Sequence, residues 1–494
     1  MGDDERSERP PRHIPPSLLL GAVVTALAAL PYLHTLGDPF LWHGHSWLEN
    51  NEHLGLADLP AYWTAGPWVA AGVGAPETFG PLAYTAFVAQ AVLGGGAAHP
   101  LVFRIGSLAL HALTAGLLAS LMARIGGRWP RWACALAGLW FAWAPLQADV
   151  VCMPWCQPLI LAALMVVGGA HLLLSPRGGG RIVGGMIIGL SPLAHVSAWP
   201  LAAVAALGVW WARAPEERGG IRRSGAPVAA LASLLSLGLG AAVVGALPGH
   251  PGDPGHSALS GLGLLAYAAS QPAPSSLRPA PMGIDAAALA GVALLAALQV
   301  GAIRARAGGA GRLLGAGLTW YAAGALGAIL HHMEPSVLPD RLAYLPTLGF
   351  AFILGAAALL LDGALKGSRR WLLPSGAVAV LGLLVYINVI EAPRFADDPT
   401  LFSRERLLWP GSKDTQRELG IAYAETGDTG MALALLEGAT QAEPERPDVV
   451  LTLFRVYLQR GEQDKALQVL RAGIAASPDS PQLKKEAEFW LDGE

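Results

Sequence analysis

Eleven apolar segments constrain this chain more than any other feature, at residues 17–36, 101–123, 133–151, 157–175, 182–195, 197–212, 227–247, 284–303, 313–331, 342–362 and 372–390. Most approach the ~20 residues that a helix needs to cross the ~30 Å hydrocarbon core of a bilayer. The chain is 53% hydrophobic and only 14% charged, which gives it more apolar surface than one soluble core buries. The expected fold is therefore all-α, a polytopic transmembrane helical bundle. Residues 182–212 are long for one span and short for two, and the arginines decide between the two counts. Counted as two spans, they leave Arg6, Arg9 and Arg12, Arg124, Arg128 and Arg131, Arg177 and Arg181, Arg213 to Arg223, Arg304 to Arg312, and Lys366, Arg369 and Arg370 on one face. The other face, up to residue 390, keeps only Arg104, Arg278 and Arg341. Cytoplasmic loops carry the excess of Lys and Arg, so about eleven spans are expected, with the N-terminus inside and the C-terminus outside.

This topology makes residues 1–16 a cytoplasmic tail and residues 17–390 the membrane domain, with external loops at 37–100, 248–283 and 332–341. Within the first loop, PLAYTAFVAQAVL reads as a helix lying along the membrane interface. The formal net charge of −3 offers no concentrated basic face, which argues against nucleic acid as a partner. The lipid bilayer is the first partner. Arg far outnumbers Lys and Ala and Gly abound, a composition associated with GC-rich bacteria and hence with a bacterial inner membrane.

After residue 390 the pattern becomes that of soluble helices. Leu419, Gly420, Tyr423, Gly427, Ala432, Leu436, Ala439 and Pro444 recur 34 residues later as Leu453, Phe454, Tyr457, Gly461, Ala466, Leu470, Gly473 and Pro478. This period and residue order resemble the tetratricopeptide repeat, a helix–turn–helix unit. Two repeats are expected at 413–480, after a linker and capping helix at 391–412 and before a second capping helix at 481–494. Two repeats are fewer than a self-sufficient stack needs, so the flanking helices should cover the open ends. A protein or peptide is the partner that such repeats imply.

With that topology in place, DRLAYLPTLGF (Asp340 to Phe350) resembles a motif of the polytopic GT-C glycosyltransferases that carry C-terminal tetratricopeptide repeats, the protein O-mannosyltransferase-like group. LALHALTAGLL at 108–118 and DDPTLF at 397–402 extend the resemblance along most of the chain. It implies transfer of a sugar from a polyprenyl-phosphate donor to an external acceptor. The chain departs from the family where the family's chemistry resides. Trp42, His43 and Gly44 stand where it has an aromatic residue and two aspartates, and Phe79, Gly80, Pro81 and Leu82 replace Tyr-Arg-Pro-Leu. Asp149, Trp155, Cys156 and Gln157 lie in the segment corresponding to its Glu-x-Val-x-Trp-x-x-Gly-Arg run, and Leu193, Ala194 and His195 replace a Lys-Glu pair.

Sugar transfer to a hydroxyl needs a base and a group that neutralises the departing phosphate. His43 or His45, with histidine's near-neutral pKa, are the candidate bases, and Asp38 or Glu49 could act from shifted positions. A solvated loop histidine is the plainer reading of either. Arg341 beside Asp340 is the candidate phosphate ligand, because its planar fork matches phosphate oxygens; the plainer role is a buried pair with Asp340. Tyr344 and Asp149 are further site candidates. No cofactor is implied by a set spacing, although His331, His332 and Glu334 with His43 and His45 form a candidate divalent-metal set. Cys152 and Cys156, four residues apart across Pro154, are either a disulfide pair or two buried thiols. Two functions remain open, a GT-C enzyme and a catalytically inactive descendant that binds a glycolipid or presents the repeats as a scaffold in the cell envelope. A transporter fits less well, since His111 is the one ionisable residue well inside a span.

Overall fold

The computed structural model describes residues 15–64, 80–95, 99–126, 130–212, 309–330, 341, 343–408 and 410–490. Every regular element among them is a helix. Four helices are long and apolar enough to cross a membrane: Pro100–Gly126, Pro154–Leu173, Tyr344–Ala364 and Arg369–Phe395. Two bent pairs raise the number to six, Pro16–Ala28 with Leu30–Gly37 at 42° and Arg131–Trp143 with Pro145–Val151 at 48°. Pro31 and Pro145 sit at the breaks, where a missing N–H and a ring clash interrupt the helical ladder.

Six is fewer than the eleven spans expected. The segments expected at 227–247 and 284–303 lie outside the described residues, as do residues 1–14 of the tail, loop 248–283 and all of loop 332–341 except Arg341. Segments 182–195 and 197–212 form helices of 13 and 14 residues, Gly178–Leu190 and Trp199–Ala212, shorter than a bilayer crossing requires. Residues 313–331 are helical within Gly309–Leu330.

Small residues set how closely the helices pack. Pro16–Ala28 lies along Pro100–Gly126, and at their crossing a Cβ on Gly116 would meet Thr25 Oγ1 at 1.9 Å and the Gly21 carbonyl at 2.5 Å. Such contact between backbones replaces the hydrophobic driving force that apolar surroundings cannot supply. The Pro81–Leu93 helix forms where PLAYTAFVAQAVL was expected to be helical, and Gly80 at its start is pressed against Leu193.

The C-terminal helices follow the repeat pattern: Lys413–Glu425 with Thr429–Ala442, then Pro447–Gln459 with Gln463–Ala476, closed by Pro481–Trp490. Gly427 and Gly461 turn each pair at φ +85° and +77°, a region open to glycine at no steric cost. The Asp398–Leu408 helix covers the other end of the stack. Ala432, Leu436 and Ala439 of the first repeat share a core with the second repeat, whereas Leu419, Ala422 and Leu435 of the first belong to the core that runs through the apolar bundle. Burial thus continues from bundle to repeats without a solvated break.

Candidate functional site

The segment after the first bent pair winds into a π-helix at His45–Glu49, closed by Asn50 N–H donating to the His45 carbonyl at 2.8 Å. A π-turn re-aims side chains relative to an α-helix. Trp42, just before it, adopts φ +49°, a conformation that is a true outlier for a bulky residue. Two carboxylates from beyond the last apolar helix hold it there. Its backbone N–H donates to Asp398 Oδ1 at 2.8 Å, and its indole Nε1–H to Glu418 Oε2 at 2.9 Å. Burial pushes Glu418 up to about 7, while Arg417 and the Trp42 donor favour its charged form. Arg417 also bonds Asp414 at 2.7 Å and Glu443 at 2.9 Å, fixing the first repeat around the same point.

His43 lies stacked between Trp42 and Trp47, with ring centroids 4.0 and 4.1 Å away, and Trp155 stands edge-on to all three rings. The Arg341 guanidinium sits 5.2 Å from the Trp42 centroid and 5.3 Å from that of Trp155, in the range of a cation–π contact. Burial, then the charges of Arg341 and Arg417, lower His43 to about 3. The near-neutral base expected at His43 is therefore corrected. An imidazole desolvated beside two guanidiniums has almost no affinity for a proton at neutral pH.

His45 departs from expectation in the opposite direction. Its Nδ1 bonds Glu49 at 2.6 Å and its Nε2 faces Asp398 at 3.4 Å. The Asp398 hydrogen bond, aided by Glu49 against the cost of burial, raises it to about 9. With both nitrogens donating, it is an imidazolium held between two carboxylates, so neither His45 nor Glu49 is poised as a base.

Asp149, expected near the site, is paired with Arg394, and Glu405 lies 3.8 Å from the same guanidinium. All three side chains are buried. Tyr344 donates its hydroxyl to His111 Nδ1 at 2.8 Å, while His111 Nε2 reaches the Ala142 carbonyl at 3.1 Å. A carbonyl only accepts, so Nε2 carries a proton. Asp38 lines a cavity beside the last apolar helix.

Cys134, Cys152 and Cys156 are all free and buried, so the candidate Cys152–Cys156 bond is not formed. Cys152 caps the Ala148–Val151 turn, Cys156 ends the Pro154–Cys156 turn, and both side chains pack into the core. Asp340, His331, His332 and Glu334 lie outside the described residues. Among the described residues, no group of three or more His, Cys, Asp or Glu is placed to hold a metal.

Three arginines were not singled out as site residues from the sequence. Arg104 donates to the carbonyls of Asp38 and Cys152 at 3.0 Å each and to that of Pro39, pinning the start of the loop. Arg394 and Arg417 organise the two carboxylate clusters described above. A signal existed for Arg104, one of only three arginines up to residue 390 on the face expected to be poor in basic residues.

Residues 411–485 match a family model described as tetratricopeptide repeat. The chain matches no curated protein and no solved structure.

Proposed function

We propose that this protein is a bilayer-embedded scaffold that holds a pair of tetratricopeptide repeats in a fixed pose on the non-cytoplasmic side, for a protein partner to dock on. The observation that carries this reading is the clamp on Trp42. A strained residue of the first external loop is held by Asp398 and Glu418, and His45 and Asp149 add their own ties to the linker and its following helix. Strained backbone persists only where its surroundings over-determine it. Here those surroundings join the membrane bundle to the repeats. Charged groups that would serve an enzyme as acids and bases serve this chain as ties, and tetratricopeptide repeats commonly bind proteins.

The test has two parts. A reporter active only outside the cytoplasm should work when fused after Glu494 and fail when fused at Gly219. A photo-crosslinking residue at exposed Arg455 should then capture a protein partner in cells. Reporter activity at Gly219 alone would overturn the orientation, and a protein-free Arg455 position across growth conditions would overturn the docking role.

A second reading rests on Arg341. Its guanidinium, 5% exposed and resting on two tryptophans, begins the stretch that resembles the GT-C motif. In this reading the protein transfers a sugar from a polyprenyl-phosphate donor, and Arg341 neutralises the phosphate. Labelled polyprenyl-phosphate sugars incubated with the purified protein should then give transfer or hydrolysis that Arg341→Lys loses. The absence of both reactions with the wild-type protein would leave the scaffold reading alone.

A further inference from the structure

The segment after the first bent pair meets the linker helix and the first repeat largely through carboxylates. Asp398, buried in the structure, accepts from the Trp42 N–H at 2.8 Å and faces His45 Nε2 at 3.4 Å. Glu418, at the edge of burial, accepts from the Trp42 indole at 2.9 Å. Glu49 holds His45 Nδ1 at 2.6 Å, and the cavity of about 360 Å³ at this point is lined in part by His45, Asp397, Asp398 and Glu425. On the Glu418 side, Arg417 is shared with Asp414 and Glu443, and the negative charge of Asp448 reaches the same carboxyl.

We propose that this junction is a latch operated by protons, which closes with proton uptake as the medium acidifies and loosens as it turns alkaline. The inference rests on the reading above, in which these ties hold the repeats in one pose, and adds what regulates that pose.

Like charges crowd where the two parts meet. Closing brings Asp398 and Glu425, from the linker helix and the first repeat, up to Glu49, with His45 as the basic residue lining the cavity they share. It also desolvates Glu418 against Trp42, whose ring carries the Arg341 guanidinium at 5.2 Å. In an open junction each carboxylate is solvated and the crowding disappears. A proton therefore relieves the closed arrangement more than the open one. On His45 it supplies a cation to two carboxylates, and on Glu418 it removes a charge from a desolvated site. The shifts carry the matching sign. The Asp398 hydrogen bond first, with Glu49, raises His45 from 6.5 to about 9, and burial raises Glu418 from 4.5 to about 7. Burial and then Asp398 raise Glu425 as well, whereas His43, lowered to about 3, stays neutral across this range. A group with a raised closed-state pKa contributes stability that is full below its open-state value and is lost as pH rises through its closed-state value. His45 and Glu418 thus act in the same direction, over adjoining pH ranges. The backbone of Trp42, at φ +49°, supplies the opposing tendency, because its strain is released when the junction opens.

The experiment is limited proteolysis of the full chain in detergent across a pH series, with cleavage inside 391–412 normalised at each pH to a free peptide of the same residues. Such a rate reports even a small open population when opening is fast. Each proton taken up on closing changes the open-to-closed ratio by up to about tenfold per pH unit, so the normalised rate should fall about tenfold from about pH 9 to about pH 7 and further towards about pH 6. His45→Gln should flatten the upper part of that fall. Glu418→Gln, which keeps an acceptor for the Trp42 indole, should flatten the lower part. A rate that is independent of pH, a rate that rises on acidification, or Gln variants that keep the wild-type profile would overturn the latch. Failure of the underlying reading looks different: Asp398→Ala with Glu418→Ala would then be cleaved no faster than wild type even at the acid end, and the pose and its latch would fall together.

Discussion

His45 and Arg394 show that charged residues around the junction act through neighbours that include partners distant in sequence. Asp398 and Glu49 raise His45 from its ordinary 6.5 to about 9. A folded-state pKa above the unfolded one adds stability that is fully present below pH 6.5 and is lost as pH rises through 9. The melting temperature should therefore fall across that window, and His45→Gln should flatten the fall; a wild-type profile already flat there would dismiss the tie. Asp149→Ala strands the Arg394 charge in a buried site. Truncating one partner of a buried pair costs about 3–5 kcal/mol, and the Glu405 carboxylate 3.8 Å away should keep the loss near the lower end, measurable by denaturant unfolding.

At the scale of elements, what matters is where helices break and how closely they meet. Asp38 lies just beyond the second arm of the pair bent at Pro31, and Asp149 lies within the second arm of the pair bent at Pro145. Gly80 ties the Pro81–Leu93 helix to the 191–198 turns: its N–H donates to the Ala194 carbonyl at 3.2 Å, and a Cβ would meet the Leu193 carbonyl at 2.1 Å. Because the obstacle is backbone, it yields little. Gly80→Val should destabilise the protein by about 1–3 kcal/mol or more, seen as a lowered midpoint of unfolding.

Across the whole molecule, the apolar bundle shares one core with Leu419, Ala422 and Leu435 of the first repeat, and carboxylates of the linker helix and first repeat lock onto Trp42. Removing the two acceptors of Trp42 with Asp398→Ala and Glu418→Ala should free the junction. Each hydrogen bond to a charged group contributes about 1.5–3 kcal/mol, so the open population should rise at least about tenfold. Limited proteolysis reports that population when opening is fast. Cleavage within 391–412 should accelerate accordingly, and an unchanged rate would mean that the shared apolar core alone holds the junction.

The sequence by itself determined the helical class, the apolar segments and the repeats. These follow from periodicity and composition, local properties that the next few residues express. The 34-residue recurrence placed both helix pairs, and glycines at 427 and 461 marked their turns because their backbone conformation requires it. Only the tertiary structure decided what the charged and aromatic residues do. No spacing along the chain links Trp42 to Glu418, His45 to Asp398, or Asp149 to Arg394, since each pair is made by helices folding back across hundreds of residues. Burial then reversed the expected chemistry. Desolvation beside two arginines left His43 neutral, and two carboxylates made His45 a cation, because an ionisable group takes its character from what packs around it and not from its residue type.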